Sequence, residues 1–172
     1  MATLPARFPA PQLLWRPLVV ADLIIVATLE AEIHAAPWTL GNFADALAAG
    51  YATRVGIRAG RIVAYGVLML GPGEAQILNV SVVPDARRSG LGRTLVAQFV
   101  DDARSMGAEQ CFLEVRASNV AAIALYAGAG FMPIARRSHY YPPVAPDLAR
   151  EDALVMRLAL TPRWSPARAP AE

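Results

Sequence analysis

The sequence contains no lysine, because all 16 of its basic residues are arginine. This absence excludes the phosphate-binding loop of P-loop enzymes, which requires a lysine, and it excludes Schiff-base catalysis. The sequence also lacks the G-x-G-x-x-G pattern of the dinucleotide-binding folds. Two common ways of binding nucleotides and one common form of covalent catalysis are therefore excluded.

Cysteine and histidine are scarce. Cys111 is the single cysteine, so an internal disulfide is impossible, and this usage is typical of a reducing compartment. Because Cys111 stands in an apolar strand pattern, we interpret it as a small core residue and not as a nucleophile. His34 and His139 are the two histidines and have no paired Cys or Asp cluster, so no metal site is predicted.

The chain also has little net charge and no long apolar run. A net charge of +2 is too small to predict a nucleic-acid partner, which requires clustered basic side chains. The most apolar early run, residues 18–29, is interrupted by Asp22 and is too short to span a bilayer. The first residues do not resemble a secretory signal. We therefore expect a cytoplasmic protein that binds neither nucleic acid nor membrane.

The composition that remains is sufficient for one folded domain. The chain has 172 residues, of which 55% are hydrophobic and 17% are charged, so it can bury a proper core. We assign the domain to residues 12–160 and expect flexible termini at 1–11 and 161–172. Meandering strands precede a strand–helix–strand segment. The predicted fold class is therefore α/β, of the α+β kind, with one mixed sheet and helices on both faces.

Hydrophobic periodicity predicts seven strands and four helices. In the first helix, Leu23, Ile24, Ala27 and Ala31 recur at helical spacing and predict its inner face. Apolar runs between turn residues predict the strands, and a proline-rich loop is predicted at 141–146. The predicted strands are 12–16, 51–58, 61–70, 77–83, 110–116, 131–137 and 152–160. The predicted helices are 20–34, 39–50, a long helix closed at 106–107, and 119–128. The predicted core residues of the long helix are Leu95, Val96, Phe99, Val100 and Ala103.

Residues 77–93 are typical of a phosphate-binding segment. The apolar run 77–83 has the length of a strand buried on both faces, and Pro84 and Asp85 end it. A loop rich in Arg and Gly follows and leads into a helix. Free N–H groups and the macrodipole at a helix N-terminus attract anions, and glycine permits close approach. The segment predicts an anion site suited to a pyrophosphate, although a basic helix start after any strand–helix turn would have the same letters.

A second cluster carries groups suited to acid–base chemistry. Glu114 is a carboxylate in an apolar strand, Asn119 starts the next helix, and Tyr126 lies two turns along on the same face. The three side chains can therefore face one cleft. Structural explanations remain open for each of them. Glu114 can pair with Arg116 or Arg136 across the sheet, while Asn119 can act only as a helix cap. Tyr126 can simply pack in the core.

Several of these segments resemble one enzyme family. Arg87, Gly90 and Gly92 match the R/Q-x-x-G-x-G/A acyl-CoA loop of the GNAT N-acetyltransferases. Residues 34–160 resemble the RimI branch of that family, the ribosomal-protein-alanine N-acetyltransferases. Ser89 departs from the pattern, because that position is often basic. The matching segments are H-A-A-P-W-T at 34–39, the stretch 79–93, L-E-V-R-A-S-N at 113–119, A-L-Y at 124–126, G-F at 130–131, Y-Y-P at 140–142 and E-D-A-L-V-M at 151–156.

The resemblance implies a fold, a co-substrate and residue roles. The fold is a largely antiparallel sheet of about six or seven strands with a central splayed strand that binds acyl-CoA. The co-substrate is acetyl-CoA, and no metal is involved. Glu114 corresponds to the general base and Tyr126 to the general acid. The implied acetyl-CoA contacts are Val80, Ser81, Val82, Arg88, Ser89, Gly90, Leu91, Gly92, Arg93 and Asn119, and the residues flanking the acceptor are Trp38, Tyr140 and Tyr141.

The resemblance also implies the acceptor, an N-terminal α-amine, with the alanine of ribosomal protein S18 as the expected substrate. Acetyl transfer needs a neutral amine. Since an α-amine has a pKa near 8 and lysine one near 10.4, lysine costs roughly 3 kcal/mol more to deprotonate at neutral pH. Two alternatives stay open. One is a GNAT that acetylates a small amine or a protein lysine, and the other is a non-catalytic acyl-CoA-binding module.

Overall fold

The computed structural model describes residues 12–143 and 149–161. These residues form one seven-stranded sheet in the order β1-β2-β3-β4-β5-β7-β6, with four α-helices on its two faces. Every strand pair is antiparallel except β4–β5. The strands are β1 (Leu13–Arg16), β2 (Ala52–Arg58), β3 (Arg61–Gly71), β4 (Glu74–Val82), β5 (Gln110–Arg116), β6 (Met132–Tyr141) and β7 (Glu151–Ala159), and the helices are α1 (Leu23–Ile33), α2 (Leu40–Ala48), α3 (Leu91–Ser105) and α4 (Val120–Gly128).

The predicted fold class, strand number and helix number are therefore confirmed. The β2–β3 hairpin turns on Ala59 and Gly60, whose φ angles of 50° and 74° suit a two-residue hairpin turn. The predicted flexible termini fall outside the described residues apart from Thr161, as do residues 144–146 of the predicted loop at 141–146. Within the described part of the chain, no helix has the length and apolar composition needed to cross a membrane.

Helix α3 covers one face of the sheet, and all five of its predicted core residues are buried. The other face carries α1 and α2, where Phe43 and Val26 pack around Tyr65 of β3. The predicted inner face of α1 is only partly correct. Ile24 is 71% exposed, and the buried stripe is Leu23, Val26 and Glu30. The helix turns this way because hydrogen-bonding groups on the sheet receive the Glu30 carboxylate.

Strands β4 and β5 pair over a short distance and then separate. Their parallel ladder runs from Glu74↔Gln110 to Ile77↔Leu113, while the strands continue to Val82 and Arg116. The prediction that 77–83 is buried on both faces is wrong, because buried and half-buried residues alternate along it. Leu78 has no partner on β3 and forms a bulge there. Past this bulge, β4 still pairs with β3 on one side. On its other side an open gap takes the place of β5.

Strand β6 is longer than predicted. It continues to Tyr141, which pairs with Glu151 across a bulge where His139 has a φ of 53°. Tyr141, the first residue of the predicted loop at 141–146, is therefore the last residue of β6, which the proline-rich pattern did not indicate. As the edge strand of the sheet, β6 places Tyr140 and Tyr141 close to the end of β5.

Candidate active site

A cavity of about 290 Å³ lies in the gap where β4 and β5 separate. It brings together residues from both halves of the sheet, including most of the predicted catalytic and acceptor residues. Val82, Tyr140 and residues 88–93 are not among the described residues that line it. The lining residues that the sequence predicted are Trp38, Val80, Ser81, Glu114, Asn119, Tyr126 and Tyr141.

Helix α4 presents two of these side chains. Asn119 caps the helix by accepting the Ala122 N–H at 3.1 Å, and Tyr126 follows seven residues later on the same face. The cap uses Oδ1, so the Nδ2 group of Asn119 remains a donor toward the cavity. The ring of Tyr126 packs edge-on against Phe131 with centroids 6.1 Å apart. Burial, followed by the charge of Tyr141, raises the pKa of Tyr126, so its hydroxyl stays protonated and can donate.

Glu114 is held by two groups of β6. Arg137 donates to Glu114 Oε1, and Tyr140 also hydrogen-bonds the carboxylate, which raises the pKa of the Tyr140 phenol. The Arg137 guanidinium lies 4.4 Å from the centre of the Tyr140 ring. The sequence predicted that Glu114 pairs with Arg116 or Arg136. This prediction is wrong, because the partner is Arg137.

The strand register explains the partner of Glu114. Glu114 pairs with Val155 of β7, whereas Arg136 pairs with Leu154, so Arg136 points to the opposite face of the sheet. There Arg136 bonds Asp152 at 2.6 Å. Arg116 forms an ion pair with Glu151 of the neighbouring strand β7, at 3.1 Å.

The edge of β4 offers free backbone groups to the gap. The Val83 N–H bonds Val63 O of β3 at 3.0 Å. Because polar groups alternate sides along a strand, the N–H groups of Val80 and Val82 point away from β3 and into the gap. Arg87 Nε donates to Val82 O at 3.2 Å, which occupies that carbonyl. The free N–H groups of Val80 and Val82 remain, and they are spaced as an added extended chain would require to hydrogen-bond with β4.

The predicted phosphate loop leads directly into α3. Gly90 precedes the helix with a φ of 83°, and no side chain caps the helix. The first helical N–H with a partner in the helix belongs to Thr94, which bonds Gly90 O at 3.0 Å. The amides of Leu91, Gly92 and Arg93 are therefore bare. A Cβ on Gly92 would lie 3.2 Å from Leu125 Cδ2 of α4, so the Leu125 side chain would have to shift to admit a larger residue there.

The sequence did not single out a buried polar cluster beside the cavity. Glu30 is 2% exposed and lines the cavity with His34 and Asn79. Glu30 accepts hydrogen bonds from Tyr65 OH at 2.7 Å and from Asn79 Nδ2 at 3.0 Å. Two signals could have found the cluster: the position of Glu30 seven residues after Leu23, on the buried stripe, and the polar Asn79 within an apolar strand.

Comparison with known proteins identifies the family. Residues 20–131 match the family model described as Acetyltransferase (GNAT) family. The chain belongs to the GNAT acetyltransferases. This GNAT chain is 36% identical over 144 residues to ribosomal protein bS18-alanine N-acetyltransferase of Escherichia coli K12, covering 84% of the chain and 95% of the relative. The corresponding Salmonella typhimurium LT2 enzyme is 35% identical over the same shares of each chain.

Solved GNAT structures have the same architecture. The crystal structure of the ribosomal-protein-S18-alanine N-acetyltransferase from Escherichia coli superposes with a TM-score of 0.81 at 34% identity, covering 92% of this chain and 99% of that one. Ard1 from Thermoplasma volcanium gives a TM-score of 0.76 at 24% identity over 87% and 98% of the chains, which shows the fold alone. The predicted GNAT fold, the acetyltransferase activity and the use of acetyl-CoA are confirmed.

Proposed function

We propose that this chain transfers the acetyl group of acetyl-CoA to the N-terminal α-amine of a protein, and that the acceptor is the N-terminal alanine of ribosomal protein S18. The observation that carries the proposal is the 36% identity, over 95% of its length, to an Escherichia coli enzyme named for that reaction. A ribosomal acceptor places the enzyme in the cytoplasm. Residues 12–160 are the domain that performs the reaction.

The phosphate end of acetyl-CoA fits the start of α3. The bare amides of residues 91–93, the macrodipole and the exposed Arg88 and Arg93 all favour a pyrophosphate there. From that point the N–H groups of Val80 and Val82 lead along the gap and hydrogen-bond the pantetheine arm as an added strand would. Asn119 Nδ2 contacts the same arm from α4. Bound acetyl-CoA supplies an activated thioester carbonyl at the cavity.

At the acceptor end, Glu114 removes the amine proton, through a water where the distance requires one. Its side chain is 17% exposed, and its ion pair with Arg137 is on the surface side, so one oxygen can exchange partners during the reaction. Trp38, in the connection before α2, and Tyr141 of β6 line the same cavity and flank the acceptor peptide. Tyr140 holds Glu114 in place through its hydrogen bond to the carboxylate.

Tyr126 and the β4 backbone handle the charge that develops on the thioester. As the carbon–sulfur bond breaks, the Tyr126 hydroxyl donates a proton or a hydrogen bond to the departing sulfur. The burial that keeps this hydroxyl protonated suits it to the role. A further N–H group on the gap-facing edge of β4 stabilises the carbonyl oxygen as it becomes negative.

The choice of an α-amine over lysine follows from proton cost. A lysine side chain requires roughly 3 kcal/mol more than an α-amine to become neutral at pH 7. A lysine-acetylating or small-amine GNAT would use the same acetyl-CoA groove, so the acceptor must be tested directly. We expect acetyl-CoA consumption with a short peptide that has the N-terminus of S18, and none when its α-amine is blocked.

Matched peptides separate the alternatives. A peptide with a blocked α-amine and an internal lysine tests whether the enzyme acetylates lysine. A panel of small amines tests whether it acetylates small molecules. Turnover with either of these but not with the free alanine peptide would contradict the proposed acceptor. Saturable acetyl-CoA binding without turnover of any amine would instead indicate a non-catalytic acyl-CoA module.

A further inference from the structure

The Glu30 carboxylate lies against the acetyl-transfer cavity without an arginine partner among the described residues. Its side chain is 3% exposed, and its one charge partner is His34, with Nε2 3.6 Å from Oε2. Neutral donors supply the rest of its contacts: Tyr65 OH at 2.7 Å, Asn79 Nδ2 at 3.0 Å, Ser81 Oγ at 3.3 Å and the Trp38 N–H at 3.3 Å. Such a set of donors stabilises a charged carboxylate inside a protein.

The surroundings of His34 favour one tautomer of its ring. Ser81 Oγ lies 2.8 Å from His34 Nε2, and when the Ser81 hydroxyl gives its one hydrogen to Glu30 Oε2 or to Asn79 Oδ1 at 3.2 Å, its oxygen accepts from Nε2. The Glu30 carboxylate, with Oε2 3.6 Å from Nε2, also favours a proton on that nitrogen. In this tautomer Nδ1 is left as an acceptor.

His34 stands where it can use that acceptor. It is the C-cap residue of α1, and its side chain is 38% exposed. It lines the same cavity as Glu114 and Tyr126. Glu114, in contrast, is already bound by Arg137 and by Tyr140. The cavity thus contains one carboxylate with two partners and one imidazole with an open nitrogen.

We propose that His34 accepts a proton from the acceptor amine, and that Ser81 and Glu30 are positioning residues that fix its ring and stabilise its charged form. The inference rests on the proposed acetyl transfer and adds a proton acceptor to it. Imidazole is suited to this task because it gains and loses a proton between about pH 5 and pH 8.

The proton balance of the step is complete. The acceptor enters as an ammonium group and gives its first proton to Glu114, which makes the nitrogen neutral. The nitrogen then forms a bond to the carbonyl carbon, the carbon–sulfur bond breaks, and its electron pair leaves with sulfur. The second proton passes from nitrogen to His34 Nδ1 and then to water at the exposed edge of the ring. The sulfur takes its proton from Tyr126, which regains one from water, and Glu114 releases its proton to water. Other titratable groups facing the cavity are Glu30 on α1, Glu114 and Arg116 on β5, Tyr126 on α4 and Tyr141 on β6, with Tyr65 of β3 behind Glu30.

Chemical rescue tests the role of His34. We expect His34→Ala to lower kcat by about 10²-fold without changing acetyl-CoA affinity, because general base catalysis is lost and the CoA groove is intact. Added imidazoles should restore kcat, and more basic imidazoles should restore it better. Either of two results would overturn the proposal: wild-type kcat in His34→Ala and His34→Gln, or a loss of kcat that no imidazole rescues.

A matched pair of charge substitutions tests Glu30. In Glu30→Gln the His34 ring keeps its place only through Ser81 and its charged form loses the neighbouring anion, so kcat should fall by up to about the 10²-fold expected for loss of His34 itself, with acetyl-CoA affinity unchanged. Glu32→Gln removes an exposed charge from the same helix and should leave both quantities unchanged. If Glu30→Gln does not fold, Ser81→Ala breaks the link from His34 to Glu30 and should lower kcat in the same way. Because Glu30 acts through His34, Glu30→Gln should lower kcat no further in the His34→Ala background. A wild-type kcat in the folded single variant, or an equal loss in the His34→Ala background, would remove Glu30 from the mechanism.

These outcomes are independent of the acceptor's identity. All variants are assayed with whichever amine the wild-type enzyme acetylates, beside a calorimetric measurement of acetyl-CoA binding. Failure of the wild type to acetylate the alanine peptide contradicts the proposed function. Wild-type turnover that is insensitive to His34 contradicts only this inference.

Discussion

Tyr126 illustrates what can be predicted for a single side chain from spacing. Its seven-residue separation from Asn119 fixes both on one face of α4 whatever the rest of the fold does. The partner of Glu114 could not be predicted in this way. It depends on β7 lying between β5 and β6, because this order decides which arginine of β6 shares a face with Glu114. Local geometry is readable from the sequence, whereas contacts across three strands require the topology.

The proposed role of Tyr126 predicts a specific kinetic defect. Tyr126→Phe removes the hydroxyl and keeps the ring that packs on Phe131. We expect kcat to fall by about 10²–10⁴-fold with little change in acetyl-CoA affinity, since the hydroxyl acts on the departing sulfur and not on the bound phosphates. Steady-state kinetics and calorimetry measure the two quantities. Tyr51→Phe, outside the cavity lining, is the matched control, and an unchanged kcat in Tyr126→Phe where chemistry limits the rate would exclude it as the acid.

Asp22 predicts how stability depends on pH. It is 6% exposed, accepts two hydrogen bonds from Arg16 at 2.6 and 2.9 Å, and accepts the Val19 N–H at 2.9 Å. The Arg16 hydrogen bonds hold the pKa of Asp22 below its ordinary value. A folded pKa below the unfolded one stabilises the fold above the unfolded pKa, and this contribution disappears as the pH falls through the folded pKa.

Asp22→Asn should therefore lower the free energy of unfolding at pH 7 by about 1–3 kcal/mol, the range for hydrogen bonds to charged groups. The difference from the wild type should shrink below about pH 4, where Asp22 becomes protonated in the unfolded chain, and disappear as the pH falls through the lower pKa of folded Asp22. Urea unfolding at several pH values measures this difference. Asp85→Asn is the control, because the side chain of Asp85 is 65% exposed and 3.7 Å from Arg61. A pH-independent difference would show that the charge of Asp22 is not what stabilises the fold.

Among the secondary-structure elements, β4 differs most from its sequence pattern. An apolar run predicts a strand, but it cannot show where the neighbouring strand stops pairing. The bulge at Leu78 and the end of the ladder at Ile77 both arise from tertiary packing. In α1 the same limitation applies, since Glu30 is buried only because donors on β3 and β4 receive it. The binding groove therefore results from pairing that the sequence pattern does not encode locally.

Gly66 of β3 holds β4 in its position beside the cavity. A Cβ at Gly66 would lie 2.6 Å from the backbone oxygen of Asn79 and 2.8 Å from Phe99 Cε2. Gly66 also pairs with Val80. We expect Gly66→Ala to lower the free energy of unfolding by about 1–3 kcal/mol, as overpacking does, and to weaken acetyl-CoA binding because β4 must move.

Denaturant unfolding and calorimetry check both effects. Gly71→Ala, on the same strand, is the matched control, because its Cβ would meet its nearest atom, Glu74 O, at 3.7 Å. Equal stability and affinity in the two variants would mean that β4 has room to adjust without disturbing the groove.

For the whole molecule, the division of the sheet governs function. Strands β1–β4 and strands β5–β7 meet through four parallel residue pairs, and α3 packs on the first group. The cavity at this junction takes Glu30, His34 and Ser81 from one side and Glu114 and Tyr126 from the other. Spacing predicted that the residues of the second side face one cleft, because they stand close together in sequence. The first side is assembled from distant segments, and its buried carboxylate was missed.

A ligand that spans this junction should stabilise it in a recognisable place. We expect saturating acetyl-CoA, at about 100 times its Kd, to stabilise the fold by about 2.7 kcal/mol. For a protein of this size that corresponds to a rise in Tm of about 5–10 °C.

In hydrogen exchange, the amides of Val80 and Val82 should become protected, because they face the gap and gain partners. The Val83 amide, already bonded to Val63 O, should change much less. Acetate and adenosine, which cannot span the gap, serve as control ligands. Protection confined to β6, or spread evenly over the sheet, would show that the ligand does not lie along β4.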